Sequence, residues 1–146
     1  MRLPLEVVFR RGGIFLWTKY ARLDDPALAG RTKPKYIIIL SGSPHDDPII
    51  YILTTSHVEK RAIHPAPNDL MCLPGGSYDC FPVDTLIDAG EAGELEVGRD
   101  EFVALYNNDA LIYRGALSER DLGNLLGRIK ASRRVSRRVK QLLTGQ

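Results

Sequence analysis

The residues best placed to do chemistry are cations and hydroxyls at the two ends of one hairpin. Lys33 and Lys35 lead into the apolar run Tyr36–Leu40, and Thr54, Thr55 and Ser56 follow the run Ile49–Leu53. Arg31 precedes the lysines at the same alternate spacing, so in an extended chain all three cations project to one side. A lysine or arginine beside a threonine hydroxyl can stabilise a phosphorane and orient a phosphate oxygen. Arginine does this through a planar two-point contact, lysine as a point charge. His57, directly after Ser56, is the nearest imidazole in sequence for proton transfer. The same residues also have plainer readings, as charges guarding a strand edge and a polar residue at a strand end.

The elements that must position these groups are read from pattern. Tyr36–Leu40 and Ile49–Leu53 are short, β-branched and almost wholly apolar, as strands buried on both faces are. The intervening SGSPHDDP supplies the glycine, prolines and aspartates of a turn, so the runs are expected to pair antiparallel and bring their outer ends together. Upstream, LPLEVVFR reads as a short strand or a leader, Arg10–Gly13 as a turn and Ile14–Trp17 as a strand. Downstream, the pattern gives a brief strand at Leu70–Leu73, a turn at Pro74-Gly75-Gly76, and a strand over Phe81–Ile87 with Pro82 near its start. Asp88–Gly98 reads as acidic turns, Asp100–Tyr106 as a short helix or strand, and Ala110–Gly115 as the last strand.

The tail is helical. Ser118 and Asp121 resemble a capping box with Asp in the Glu position, and Leu122, Leu125, Leu126 and Ile129 follow on one face. Ser132 is placed to start a second helix with Val135, Val139, Leu142 and Leu143 as its apolar stripe. Arg133, Arg134, Arg137, Arg138 and Lys140 fall off that stripe, towards solvent or a partner. From Arg114 onward the chain carries nine Lys/Arg and two Asp/Glu, against 11 and 16 before it. A basic tail on a mildly acidic body favours polyanions or an acidic protein partner.

With 146 residues, 44% of them apolar and 26% charged, the chain is expected to form one domain. The pattern divides it into a mainly β, α+β body over residues 1–115 and C-terminal helices over 116–144. About five to seven short strands would make a small barrel or strongly bent sheet capped by helix. No stretch approaches the ~20 apolar residues of a membrane span, and Met1–Arg11 lacks a secretory apolar core. A cytoplasmic, non-membrane protein is therefore expected. Cys72 and Cys80, with seven residues between them, suit neither a disulfide framework nor a zinc site, and His45, Asp46, Asp47, His57 and His64 follow no ligand spacing. No metal and no cofactor is expected.

Taken together, GGIFLW, a long loop with basic residues, KYIIIL, a strand ending ILTTS and then FPVDTLI resemble the MazF/PemK-like toxins of bacterial toxin–antitoxin systems, loosely from Gly12 to Ile87. The segment GALSERDLGNLLGRIKASRRVSRRVKQLL is similar to the helical end of longer PemK-like relatives. The resemblance implies an SH3-like barrel, a homodimer, metal-independent cleavage of single-stranded RNA, and a small antitoxin whose acidic or apolar tail fills the RNA groove. It also implies roles. The family's functional arginine aligns with Lys35, or with Arg31 or Lys33 if the loop shifts, and its functional threonine with Thr54. In place of the family's Glu-Gln-Gly type loop stand Asp24-Asp25-Pro26 and Ala29-Gly30. Lys35, Thr54 and Arg31 are thus the catalytic candidates, with Lys33, Thr55, Ser56, His57 and the base-stacking Trp17 as substrate-binding ones. The other reading is a non-catalytic SH3-like module that binds nucleic acid or a protein.

Overall fold

A computed structural model of the protein describes residues 2–21, 32–57 and 64–144. Among these residues there are seven strands and four α-helices, an α+β arrangement. Strands β1 (Gly13–Tyr20), β2 (Lys33–Ile39), β3 (Ile49–Leu53), β6 (Leu95–Val97) and β7 (Leu111–Ala116) form one antiparallel sheet in the order β6-β3-β2-β1-β7. β4 (Leu70–Leu73) and β5 (Thr85–Asp88) form a second, two-stranded antiparallel sheet. The helices are α1 (Leu5–Val8), α2 (Arg99–Asn107), α3 (Glu119–Ala131) and α4 (Arg137–Thr144).

The central hairpin forms as its residues dictate. Ile37, Ile38 and Ile39 face Leu53, Ile52 and Tyr51 across the β2–β3 ladder. Because side chains alternate across a strand, this continuous apolar run feeds two cores. Ile37, Ile39, Ile49 and Tyr51 join Phe15, Trp17, Tyr20, Phe102 and Tyr106 on one face, which α1 and α2 cover. Ile38, Leu40, Ile50 and Ile52 join Met71, Leu73, Ile87, Leu125 and Ile129 on the other, which the small sheet, α3 and α4 cover.

The two-faced burial corrects the expected barrel. A closed barrel keeps one face of its strands outward, whereas here both faces of β2 and β3 are apolar and need cover. The large sheet accordingly stays open, ending at β6 and β7. Among the described residues its one continuation into the small sheet is an isolated bridge between Thr55 and Leu86.

Local readings shift at several places. Leu5–Val8 is a turn of helix, neither strand nor extended leader. The strand expected from Phe81 starts at Thr85, because residues 82–84 form a loop fixed by the Gly75 N–H to Asp84 Oδ1 bond (2.7 Å). The acidic stretch contains β6, which pairs with β3. The region Asp100–Tyr106, open between helix and strand, is helix α2.

The α3 cap is half as expected. Ser118 Oγ accepts the Asp121 N–H at 3.1 Å, but the Asp121 side chain does not return the bond directly. Instead the Ser118 N–H donates to the Tyr78 hydroxyl (2.9 Å), which donates to Asp121 Oδ2 (2.6 Å). Burial, followed by the bond to Asp121, pushes the Tyr78 pKa up.

Ser132 terminates α3 rather than starting a new helix. The cap of α4 is Ser136, whose Oγ accepts the Val139 N–H at 3.2 Å. Of the expected α4 stripe, Leu143 is buried and Leu142 is 61% exposed. Leu125 is fully buried while Leu122 and Leu126 are partly so. Leu125→Ala should therefore cost about 2–5 kcal/mol in urea unfolding, the range for buried leucine truncation. Leu142→Ala should stay within about 0.5 kcal/mol, as surface changes do; equal losses would contradict this packing.

Candidate functional site

The chain leaves β3 at Leu53 and changes sheets. Thr55 donates its N–H to the Leu86 carbonyl (3.0 Å) and accepts the Leu86 N–H (2.7 Å). This crossing opens a cleft of about 230 Å³ between the outer end of the β2–β3 hairpin and the loop that precedes β5. One wall is Lys33–Tyr36 and Thr54–His57; the other is Cys80–Val83 with Thr85. The hairpin ends thus bring together Lys33, Lys35, Thr54, Thr55, Ser56 and His57.

Their states differ. Lys33 is exposed, and the half-buried Lys35 donates from Nζ to the Thr54 carbonyl at 3.4 Å. Thr54 is buried, with its N–H and its Oγ1 both donating to the Tyr36 carbonyl at 3.3 Å. Its hydroxyl therefore ties β3 to β2 instead of facing the opening. Thr55 Oγ1 accepts the His57 N–H (3.1 Å), and among the described residues no acceptor takes its hydroxyl proton. Ser56 and His57 are exposed at the mouth.

The far wall is apolar and firmly held. The Tyr36 and Phe81 rings meet edge-on at 5.2 Å, and Phe81 meets Tyr78 at 6.3 Å. A Cβ at Gly75 would come within 2.9 Å of the Pro82 carbonyl, so this glycine is what lets the turn close against residues 82–84. Val83 stands 56% exposed on this wall. Burial pushes the Cys80 thiol pKa up. Phe81, Pro82 and Val83 were hidden in the sequence inside an apparent strand; the signal that separates them is Pro82 interrupting an apolar run.

Two candidates lie elsewhere. Trp17 is a core residue packed with α1 and α2, 4.8 Å from the Tyr20 ring and 5.7 Å from that of Tyr51. Burial in that core, which leaves Trp17 only 5% exposed, keeps it from stacking a base in the cleft. Arg31 lies outside the described residues.

A second polar cluster, not anticipated from sequence, ties the tail to the body. Arg134 Nε donates to Asp69 Oδ2 (2.9 Å), and its Nη2 donates to Asp88 Oδ1. Ser132 Oγ donates to Asp69 Oδ2 at 2.9 Å. The His64 Nδ1 accepts the Ala66 N–H (2.9 Å), so its proton is on Nε2, which donates to Asp88 Oδ2 (2.9 Å). Arg134 is thus bonded to the body although 37% of its side chain is exposed, and Arg133, Arg137 and Arg138 are exposed as well. Arg128 is similarly committed, to the Asn68 and Leu70 carbonyls. These bonds join the tail, the start of β4 and the end of β5, and their contribution is structural.

Among the described residues no three His, Cys, Asp or Glu side chains gather in a way that could hold a metal ion. No family model matches the chain, and no curated protein does.

The cluster has a pH signature. Burial alone would raise the Asp88 pKa, but hydrogen bonds from Arg134 and His64, with the Arg134 charge, hold it below the usual carboxylate value. A depressed folded pKa gives stability that is complete above the unfolded value of about 3.9 and is lost as pH falls through the folded pKa. Asp88→Asn should cost about 1.5–3 kcal/mol at pH 7, as for hydrogen bonds to a charged group. The deficit should shrink as pH falls through the folded pKa, where the native carboxyl is protonated as well. A deficit constant with pH in denaturant melts would contradict this role.

Proposed function

We propose that the cleft is a single-stranded RNA site and that the protein is a toxin-like, metal-independent endoribonuclease with a divergent, opened SH3-like body. The observation carrying this reading is that Lys33, Lys35, Thr55, Ser56 and His57 line one cleft against an apolar wall. Cations suit a phosphate, and the aromatic and aliphatic wall suits an unstacked base. The resemblance to MazF/PemK-like toxins supplies the reaction class.

In that reaction the RNA 2′-hydroxyl attacks its own 3′-phosphorus and the bond to the 5′-oxygen breaks. The products are a 2′,3′-cyclic phosphate and a 5′-hydroxyl end. A base takes the 2′-hydroxyl proton, and an acid protonates the leaving oxygen. Lys35 and Lys33 stabilise the phosphorane, Thr55 and Ser56 orient phosphate oxygens, and His57 at the mouth moves a proton. Thr54 is a positioning residue: its hydroxyl fixes the Tyr36 carbonyl and so the spacing of the two cleft-forming segments. Its partners in the cell would be RNA and a cognate antitoxin. No helix among the described residues is long and apolar enough to cross a membrane.

The second reading, a non-catalytic binding module, is favoured by the inward commitment of the Thr54 hydroxyl. A cleavage assay separates them. Purified protein in EDTA should cut an end-labelled single-stranded RNA, and Lys35→Ala should slow cutting about 100–1000-fold, as loss of one charge-stabilising donor does. Thr54→Ser should cut far better than Thr54→Val, since it keeps the tie to Tyr36. Cleavage undiminished in a Lys33→Ala/Lys35→Ala variant would remove the site from this cleft. Wild-type protein that binds the RNA without cutting it would establish the binding module instead.

A further inference from the structure

The cleft opens onto more of the sheet than its own walls. In an antiparallel ladder, residues directly opposite one another share a face. Tyr36, which lines the cleft and meets Phe81 edge-on at 5.2 Å, lies opposite Leu16, and Leu16 lies opposite Ile112. These three side chains form a row across β2, β1 and β7, from the cleft to the outer strand. At the usual strand spacing the row is about 10 Å long. The next row on the same face, Ile38 and Ile14, is fully buried. Leu16 is only half-buried and Ile112 is 37% exposed, and neither joins the two buried clusters. Among the described residues, the roof over this face thus stops one row short and leaves an aliphatic shelf beside the cleft.

A cation stands at the outer end of the shelf. The β1–β7 register passes from Phe15–Tyr113 to Ile14–Gly115, so Arg114 sits in a bulge. Bulges re-aim side chains, and Gly115 supplies the positive φ (118°) that follows this one. Burial raises the pKa of the Cys80 thiol, and the Arg114 charge acts in the opposite sense, so the guanidinium is near that cleft-lining residue. Arg114 is exposed and makes no ion pair with a described residue.

We propose, resting on the reading of the cleft as an RNA site, that the shelf is a second nucleotide subsite. One base sits in the cleft against Phe81. Its neighbour lies flat on Leu16 and Ile112, and the phosphate beyond it takes a two-point contact from Arg114. Continuity with the cleft and the sign of the charge both select a nucleic-acid strand as the occupant. The shelf side chains carry no donor or acceptor, so this subsite takes any base. A duplex, whose base faces are stacked inside, cannot use it.

Two probes separate the subsites. A nucleoside 3′,5′-bisphosphate fills only the cleft, and a 2′-O-methyl hexanucleotide, which cannot be cut, fills both. Arg114→Ala should weaken the hexanucleotide about tenfold or more, as loss of a hydrogen bond to a charged group does. It should also lower the slope of log affinity against log salt by about 0.7, the share of one phosphate on a single strand. Ile112→Asp should weaken the hexanucleotide too, and both variants should bind the bisphosphate as the wild type does. Lys33→Ala/Lys35→Ala should weaken both ligands. If Ile112→Asp fails to fold by circular dichroism, Arg114→Ala decides. Hexanucleotide binding that the lysine changes weaken but Arg114→Ala does not overturns the shelf and leaves the cleft reading standing. Binding that the lysine changes also leave untouched removes RNA from the cleft, and the shelf subsite falls with it.

Discussion

The structure depends on one change of partner. At Thr54 the chain is still tied to β2 through the Tyr36 carbonyl, and one residue later Thr55 exchanges two backbone bonds with Leu86 of the small sheet. That step joins the two sheets at a point instead of along a ladder. Neighbouring strands in one sheet would close the gap between them with hydrogen bonds. Sheets that meet at a single bridge leave a cleft beside it, lined by the residues at the crossing. The chemistry-bearing side chains are gathered there because the backbone has to cross there.

The crossing is held by burial on both sides of the central hairpin. β2 and β3 carry apolar residues on both faces, and each face is roofed by different elements, α1 and α2 on one and the small sheet, α3 and α4 on the other. The roof that borders the cleft is tied down by polar contacts. Arg134 reaches Asp69 and Asp88, and Arg128 reaches the backbone around Asn68. Tyr78 links the α3 cap to the Phe81 wall. The basic tail thus divides into arginines that fasten the helices to the body and arginines, such as Arg133 and Arg137, that face solvent.

What the sequence reveals of this follows from where the information lies. The hairpin is legible because nearly every residue of Tyr36–Leu40 and Ile49–Leu53 is apolar and β-prone, and its turn is polar. The convergence of Lys33 and Lys35 with Thr54–His57 then follows from antiparallel pairing alone. Trp17 is misread because one aromatic side chain does not disclose whether helices will roof it into a core. The barrel is misread for a related reason: strands buried on both faces fit a covered open sheet, and only the positions of the covering elements decide. β6 is invisible because it is defined by pairing with β3, in a stretch whose own glycines and acids read as turn. The roles of Asp69, Asp88 and Arg134 rest on contacts between residues 46 and 65 positions apart, which no local pattern encodes.

The central claim is that RNA occupies the cleft at the sheet crossing and not the solvent-facing arginines of the tail. Backbone amide shifts of isotope-labelled protein, followed by NMR during titration with a 2′-O-methyl single-stranded RNA that cannot be cut, test it most directly. The account predicts that the largest changes fall on Lys33, Lys35, Tyr36, Thr54–His57, Phe81 and Val83. Changes confined to Arg133, Arg137, Arg138 and their neighbours on α4, with the cleft amides unmoved, would contradict it.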